Sequence, residues 1–111
     1  MIEAKKFTPL PTDSIICVRI GKIQRKNIYE MTRKYWRVSL KRAKNAQYLI
    51  GVLDGHVEIV IEIDSCFRTE NTLYEGRCEF TGRVVSDSQY LDTDASAVFA
   101  GMQTPVRYIN C

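Results

Sequence analysis

The sequence predicts an α+β fold, a small single domain over residues 1–111 with a mostly antiparallel sheet, a central hairpin and two to three short helices. Three observations carry this expectation. Two β-rich runs, 47–53 and 56–63, are separated by Asp54 and Gly55, a two-residue turn whose residue types suit the left-handed angles of a type I′ hairpin. Ahead of that hairpin, apolar residues recur at helical spacing behind two polar residues able to cap a helix, Asn27 and Ser39. Finally, 45% hydrophobic residues in a chain of 111 supply one core, and no apolar run reaches the length of a membrane span.

Taken in order, residues 1–13 contain Pro9 and Pro11 and read as an irregular lead-in. Residues 14–23 are rich in Ile and Val and read as the first strand, with Ile16, Val18 and Ile20 on one face. The helical spacing of Ile28, Met31 and Tyr35 predicts a helix over 27–36. A second helix is expected over 39–46, burying Leu40, Ala43 and Ala46. In the hairpin the first run is apolar on both faces, which marks a central strand. The second alternates Val57, Ile59, Ile61 and Ile63 with His56, Glu58 and Glu62, which predicts one core face and one wet face. Residues 77–84 alternate again, Cys78, Phe80 and Val84 opposite Arg77, Glu79, Thr81 and Arg83. A polar loop over 87–93 follows, then one or two helical turns over 94–100 stopped by Gly101. Residues 105–110 form a last strand with Arg107 and Ile109 on one face and Val106 and Tyr108 on the other.

The net charge of +3 conceals an asymmetry. From Arg19 to Lys44 ten basic residues face a single acid, Glu30, for a local charge of +9, and the remainder of the chain carries −6. Such a run is either a solvated helix face or a surface for polyanions. Tyr29, Tyr35 and Trp36 are interleaved with the cations, a combination suited to bases and phosphates together. The four cysteines, Cys17, Cys66, Cys78 and Cys111, are scattered without a C-x-x-C pair, and the first ten residues lack the apolar stretch of a secretory signal. Reduced thiols and a cytoplasmic location are therefore expected.

Catalytic patterns are sparse. His56 is the only histidine, so any Cys–His or Ser–His pair would need it, and its place beside a turn suits an ordinary wet residue. Glu58 and Glu62 share the wet face of a strand, which is a weak basis for an acid–base pair. No metal-binding spacing and no glycine-rich phosphate loop is present in the sequence. A binding protein without catalysis, cofactor or metal is the expectation. For binding an anion, Arg25, Lys26, Arg33, Arg37 and Arg107 are candidates, because guanidinium forks match phosphate oxygens. Trp36, Phe80 or Tyr90 would offer a base its aromatic platform, although periodicity alone places Phe80 in the core.

The succession Tyr29-Glu30-Met31-Thr32-Arg33-Lys34-Tyr35-Trp36-Arg37-Val38-Ser39, then Arg42-Ala43 and Ala46, the hairpin from Tyr48 to Gly55, Glu79-Phe80-Thr81-Gly82, and the ending from Gln103 to Asn110 spans about four-fifths of the chain. In order and spacing this set resembles the phage Thoeris anti-defence proteins, small sponges that sequester cyclic ADP-ribose isomers and, in some members, cyclic trinucleotides. The resemblance implies a phage protein acting in the host bacterial cytoplasm as a dimer or higher homo-oligomer with sites shared between chains. It implies an adenine stacked on Phe80 and a pyrophosphate held by Arg107. It further implies a basic contact from Arg25 or Lys26, and a polar contact in the loop after Phe80, where this chain has Tyr90 and Asp92 instead of an amide. Two rival classes stand beside the sponge. An RNA- or DNA-binding module built on a PUA-like barrel would expose the basic stretch as one face, with salt-sensitive affinity. A small enzyme or adaptor whose activity leaves no motif would turn its ligand over or dock a protein.

Overall fold

The computed structural model describes residues 5–21 and 27–111. Among them the chain forms β1 (Ile15–Arg19), α1 (Ile28–Arg33), β2 (Lys34–Trp36), α2 (Leu40–Ala43), β3 (Tyr48–Leu53), β4 (His56–Arg68), a 3-10 turn at Thr72–Tyr74, β5 (Cys78–Val84) and β6 (Val106–Ile109). The strands make one sheet in the order β2-β5-β4-β3-β1-β6. Its neighbours are antiparallel except β1 and β3, which run parallel because α1, β2 and α2 carry the chain back between them. This is the α+β, mostly antiparallel architecture that the sequence predicts.

The hairpin forms as its turn chemistry requires: Asp54 and Gly55 have φ of 49° and 80° and join Leu53 to His56. Both helix caps are in place. Asn27 accepts a hydrogen bond from the backbone N–H of Glu30, and Ser39 accepts one from Arg42. The helices, however, are shorter than the periodicity predicts. α1 stops at Arg33, and Lys34 and Trp36 then pair with Glu79 and Cys78 of β5, so sheet pairing overrides helical spacing. Residues 94–100 likewise form successive turns, each closed by a bond to the carbonyl three residues back, and not a helix.

Both faces of the sheet are buried. On one face α1 and α2 cover Ile16, Val18, Leu49, Ile59, Ile61 and Phe80. On the other, Phe7 and the loop residues Tyr90, Ala95 and Phe99 cover Ile15, Cys17, Ile50, Val57 and Val60. The single wet face expected for 56–63 is corrected by a β-bulge: Gly51 pairs with Ile59 while Val52 pairs with Val57, so Glu58 is the extra residue and the alternation changes phase. Val57 therefore points to one core and Ile59 and Ile61 to the other. Gly51 allows α1 to sit close, since a Cβ there would lie 2.6 Å from Thr32 Oγ1. That seat sets the path of β2, which follows α1 directly.

The two edge strands approach one another. Trp36 and Val38, after α1, share a cluster with Val106 and Tyr108 of β6, and the Ser39 N–H donates to Tyr108 Oη at 2.7 Å. The sheet is thus curled, with a gap between β2 and β6 that it does not close.

Candidate functional site

The gap and the surface beside β2 hold three hollows in series. The central one, of about 240 Å³, lies between Tyr35, Trp36 and Arg37 on one side and Thr104, Pro105 and Val106 on the other, with Arg77 at its margin. A second, of about 390 Å³, shares Arg37, Thr104 and Val106 with it and adds Arg42, Met102, Arg107 and Tyr108. A third, of about 230 Å³, shares Tyr35, Trp36 and Arg77 and adds Arg19, Gly21, Met31 and Lys34 around Ile20. No carboxylate side chain of the described residues lines any of the three.

Four cations of this cleft, Arg19, Arg42, Arg77 and Arg107, are held by aromatic rings or main-chain oxygens. Arg42 lies 3.8 Å from the centre of the Tyr108 ring and donates through Nε and Nη2 to the backbone oxygen of Cys111 at 3.0 and 2.8 Å. Arg77 lies 5.7 Å from the Tyr74 ring centre, and Tyr74 is stacked on Tyr35 at 4.1 Å with the planes 7° apart. Arg19 approaches the Phe99 ring at 5.4 Å. Arg107 Nη1 donates to the Val98 carbonyl at 3.3 Å and reaches Met102 Sδ at 3.5 Å. None of Arg19, Arg37, Arg77 and Arg107 pairs with a carboxylate among the described residues, whereas Arg42 is engaged by the Cys111 oxygen. Lys34 pairs with Glu30 at 3.1 Å. Burial pulls the Glu30 carboxyl upward, but hydrogen bonds from Lys34 and Arg33 outweigh it and hold that carboxyl below its usual range. Trp36 lines two of the hollows while its indole N–H donates to the Thr32 carbonyl at 2.7 Å, which fixes the ring.

Of the residues expected to form a site, Arg107 is in the cleft. Phe80 is not: its ring is 0% exposed within the helix-side core, so it offers no face to a base, and the stacking role implied for it gives way to core packing. Tyr90 is 3% exposed, on the opposite side of the sheet. Its hydroxyl donates to Asp13 at 2.6 Å and accepts from the Leu10 N–H at 3.0 Å, and burial together with the Asp13 bond raises its pKa. Tyr90 therefore pins the lead-in segment to the core. Asp92 is exposed beside the hairpin, where its carboxylate lies 3.4 Å from His56 Nε2. Phe80, Tyr90, Asp92 and Arg107 are thus not brought together. Arg25 and Lys26 lie outside the described residues. Arg33, a further candidate, is consumed by the fold: it donates to the Phe80 carbonyl at 2.8 Å and bridges Glu30 and Glu79.

Sequence reasoning missed Arg77, Arg19 and Tyr74. Arg77 reads as one more polar residue on an alternating strand, yet it is folded back over Tyr74 by a turn in which Gly76 has φ of 85° and the Arg77 N–H bonds the Tyr74 carbonyl. The Tyr-x-Gly-Arg order at 74–77 was the available signal, an aromatic residue and an arginine on either side of a glycine turn. Among the described residues no group of three His, Cys, Asp or Glu is placed to hold a metal, and no helix is long and apolar enough to cross a membrane. A scan against protein-family models, a search of curated proteins and a search of solved structures each return no match.

Proposed function

We propose that this chain is a non-catalytic binding protein that takes a phosphate-bearing cyclic nucleotide into the cleft between β2 and β6 and sequesters it. In biological terms the ligand is a cyclic nucleotide immune signal, a cyclic ADP-ribose isomer or a cyclic oligonucleotide. Its removal suppresses host antiphage defence, and the protein works as a homo-oligomer in the bacterial cytoplasm. The resemblance to the Thoeris anti-defence sponges supports the biological role. The observation that carries the binding chemistry is the set of four arginines, Arg19, Arg37, Arg77 and Arg107, without carboxylate partners among the described residues, in the Trp36-lined hollows and the one beside them. Hydrogen bonds to charged groups contribute about 1.5–3 kcal/mol each, so two guanidinium contacts correspond to roughly a hundredfold in affinity.

A second reading, an RNA- or DNA-binding module, is favoured by one feature: the hollows run into one another along the gap, a path open to a single strand. Both readings are tested by incubating the protein with cyclic ADP-ribose isomers, cyclic oligonucleotides and an unrelated single-stranded RNA. Heat release and mass spectrometry should return an intact cyclic nucleotide, with capture lost in Arg107→Ala. Conversion to a new product would overturn the binding-only reading. Submicromolar RNA binding that falls steeply with salt would replace it with the second.

A further inference from the structure

We infer that the cleft is a two-ended anion site whose ligand carries phosphates at two separated points, one at either end of a nucleoside sugar, and not as one contiguous diphosphate. The inference rests on the nucleotide reading above and narrows it: a cyclic ADP-ribose isomer carries its phosphates as one contiguous diphosphate, so of the two ligand kinds named there the site selects the cyclic oligonucleotide, whose phosphates are separated.

The argument starts from how the hollows share their walls. Arg77 lines both the central hollow and the one containing Arg19, so it stands at that junction. Arg37 lines both the central hollow and the one containing Arg42 and Arg107, so it stands at the opposite junction. Between these two guanidinium groups the walls are mainly aromatic or apolar, Tyr35, Trp36, Pro105 and Val106, with Thr104 the one polar uncharged residue. Such a chamber suits a base and the face of its sugar, and the polar groups of a ligand must leave it at the ends. At about 240 Å³ the chamber is smaller than the roughly 300 Å³ at which ligand sites begin, so a nucleotide filling it must extend into a neighbouring hollow. Both neighbours present arginines and neither presents a carboxylate side chain of the described residues.

Electrostatics then separates two kinds of ligand. A contiguous diphosphate occupies one end and leaves the arginines of the other end facing each other unneutralised. A ligand with a phosphate at each end neutralises both groups and keeps its apolar part on Trp36. Geometry favours the second arrangement further, because Arg77 and Arg42 are already fixed over Tyr74 and Tyr108 on opposite sides of the chamber. Ordering an arginine costs side-chain entropy on binding, and these two have lost much of it in the free protein.

The experiment uses two isomers of identical composition and phosphate count. Adenosine 3′,5′-bisphosphate carries its phosphates at the two ends of one ribose, and adenosine 5′-diphosphate carries them together. Calorimetric titration of the full chain should show the bisphosphate binding roughly tenfold tighter or better, the equivalent of one charge-assisted contact. Arg37→Ala should bring the bisphosphate down to the affinity of the diphosphate, and Arg77→Ala should do the same from the other end. The exposed Arg37 side chain has no hydrogen bond or ion pair with a described residue, so its replacement should leave the thermal melt unchanged and isolate the binding effect. Equal binding of the two isomers, or tighter binding of the diphosphate, would overturn the two-ended site while leaving a nucleotide cleft standing. Failure of both isomers and of the cyclic nucleotide panel would remove the cleft reading itself and this inference with it.

Discussion

Replacing Phe80 separates two roles that the sequence left superimposed. The resemblance implies a ring that stacks on adenine, whereas the structure encloses it completely, among Ile16, Leu49, Ile61 and Trp36. If packing is its role, Phe80→Ala removes a fully buried aromatic side chain and leaves a cavity, at a cost of about 3–5 kcal/mol. Domains of this size carry roughly 5–15 kcal/mol in total, so the variant would keep only part of its stability. With about 4–8 °C of melting temperature per kcal/mol for a domain near this size, the melt should fall by about 12–40 °C. Phe80→Leu, which refills most of the space, should lose distinctly less. Thermal and urea melts of both variants, with calorimetric titration of the same samples, make the measurement. A Phe80→Ala protein that melts within about 3 °C of the parent but no longer binds nucleotide would refute the enclosed-core reasoning and return Phe80 to the site.

Two further outcomes follow from named contacts. Gly51→Ala would place a Cβ 2.6 Å from Thr32 Oγ1 and 2.7 Å from Ile20 Cδ1, and overpacking of this kind costs about 1–3 kcal/mol; a urea midpoint equal to that of the parent would mean α1 does not sit where described. Burial pushes the thiols of Cys17 and Cys66 up from 9.0 to about 12, with Arg107 opposing the shift at Cys17 and Cys78 adding to it at Cys66. The fold therefore holds these thiols protonated: their contribution to stability is whole below pH 9 and is lost as pH rises from 9 towards about 12. Melts across that range should show a decline that lessens in Cys17→Ala, and an identical decline in the variant would assign the loss to other groups.

The parts of this fold that were legible in the sequence are those decided locally. Asp54 and Gly55 dictate their own turn, and Asn27 and Ser39 cap their helices with side chains three residues from the N–H they accept from. The parts that were not legible are decided by strands far away in sequence. Tyr35 and Trp36 keep helical spacing but are drawn into an edge strand by β5, over forty residues on. β4 continues through Asp64 and Ser65 to Arg68 without apolar alternation because β5 pairs with it over that whole length. The site divides in the same way. Arg107 and Arg37 were recognisable as candidates, but Arg42 comes from α2 and Arg77 from a turn ahead of β5. Only the curl of the sheet brings these segments together.

That curl raises the question of why the gap is cationic at all, since unpaired sheet edges are commonly blunted with charge to prevent strand-to-strand association. β2 has three residues and β6 four, too short to close the sheet against each other, and both edges need such protection. Protection alone, however, calls for mobile, well-hydrated charges pointing away from the edge, the property of lysine. The gap carries mainly arginines instead. Arg42 and Arg77 are laid on tyrosine rings, and Arg42 and Arg107 are bonded to backbone oxygens, so their guanidinium groups are fixed where they line the hollows. Fixing like charges near one another destabilises the free protein, and the arrangement becomes favourable when an anion enters between them. A chain that only guarded its edges would become more stable when Arg77 is neutralised as Arg77→Gln, whereas a binding cleft would show that gain together with a loss of nucleotide affinity.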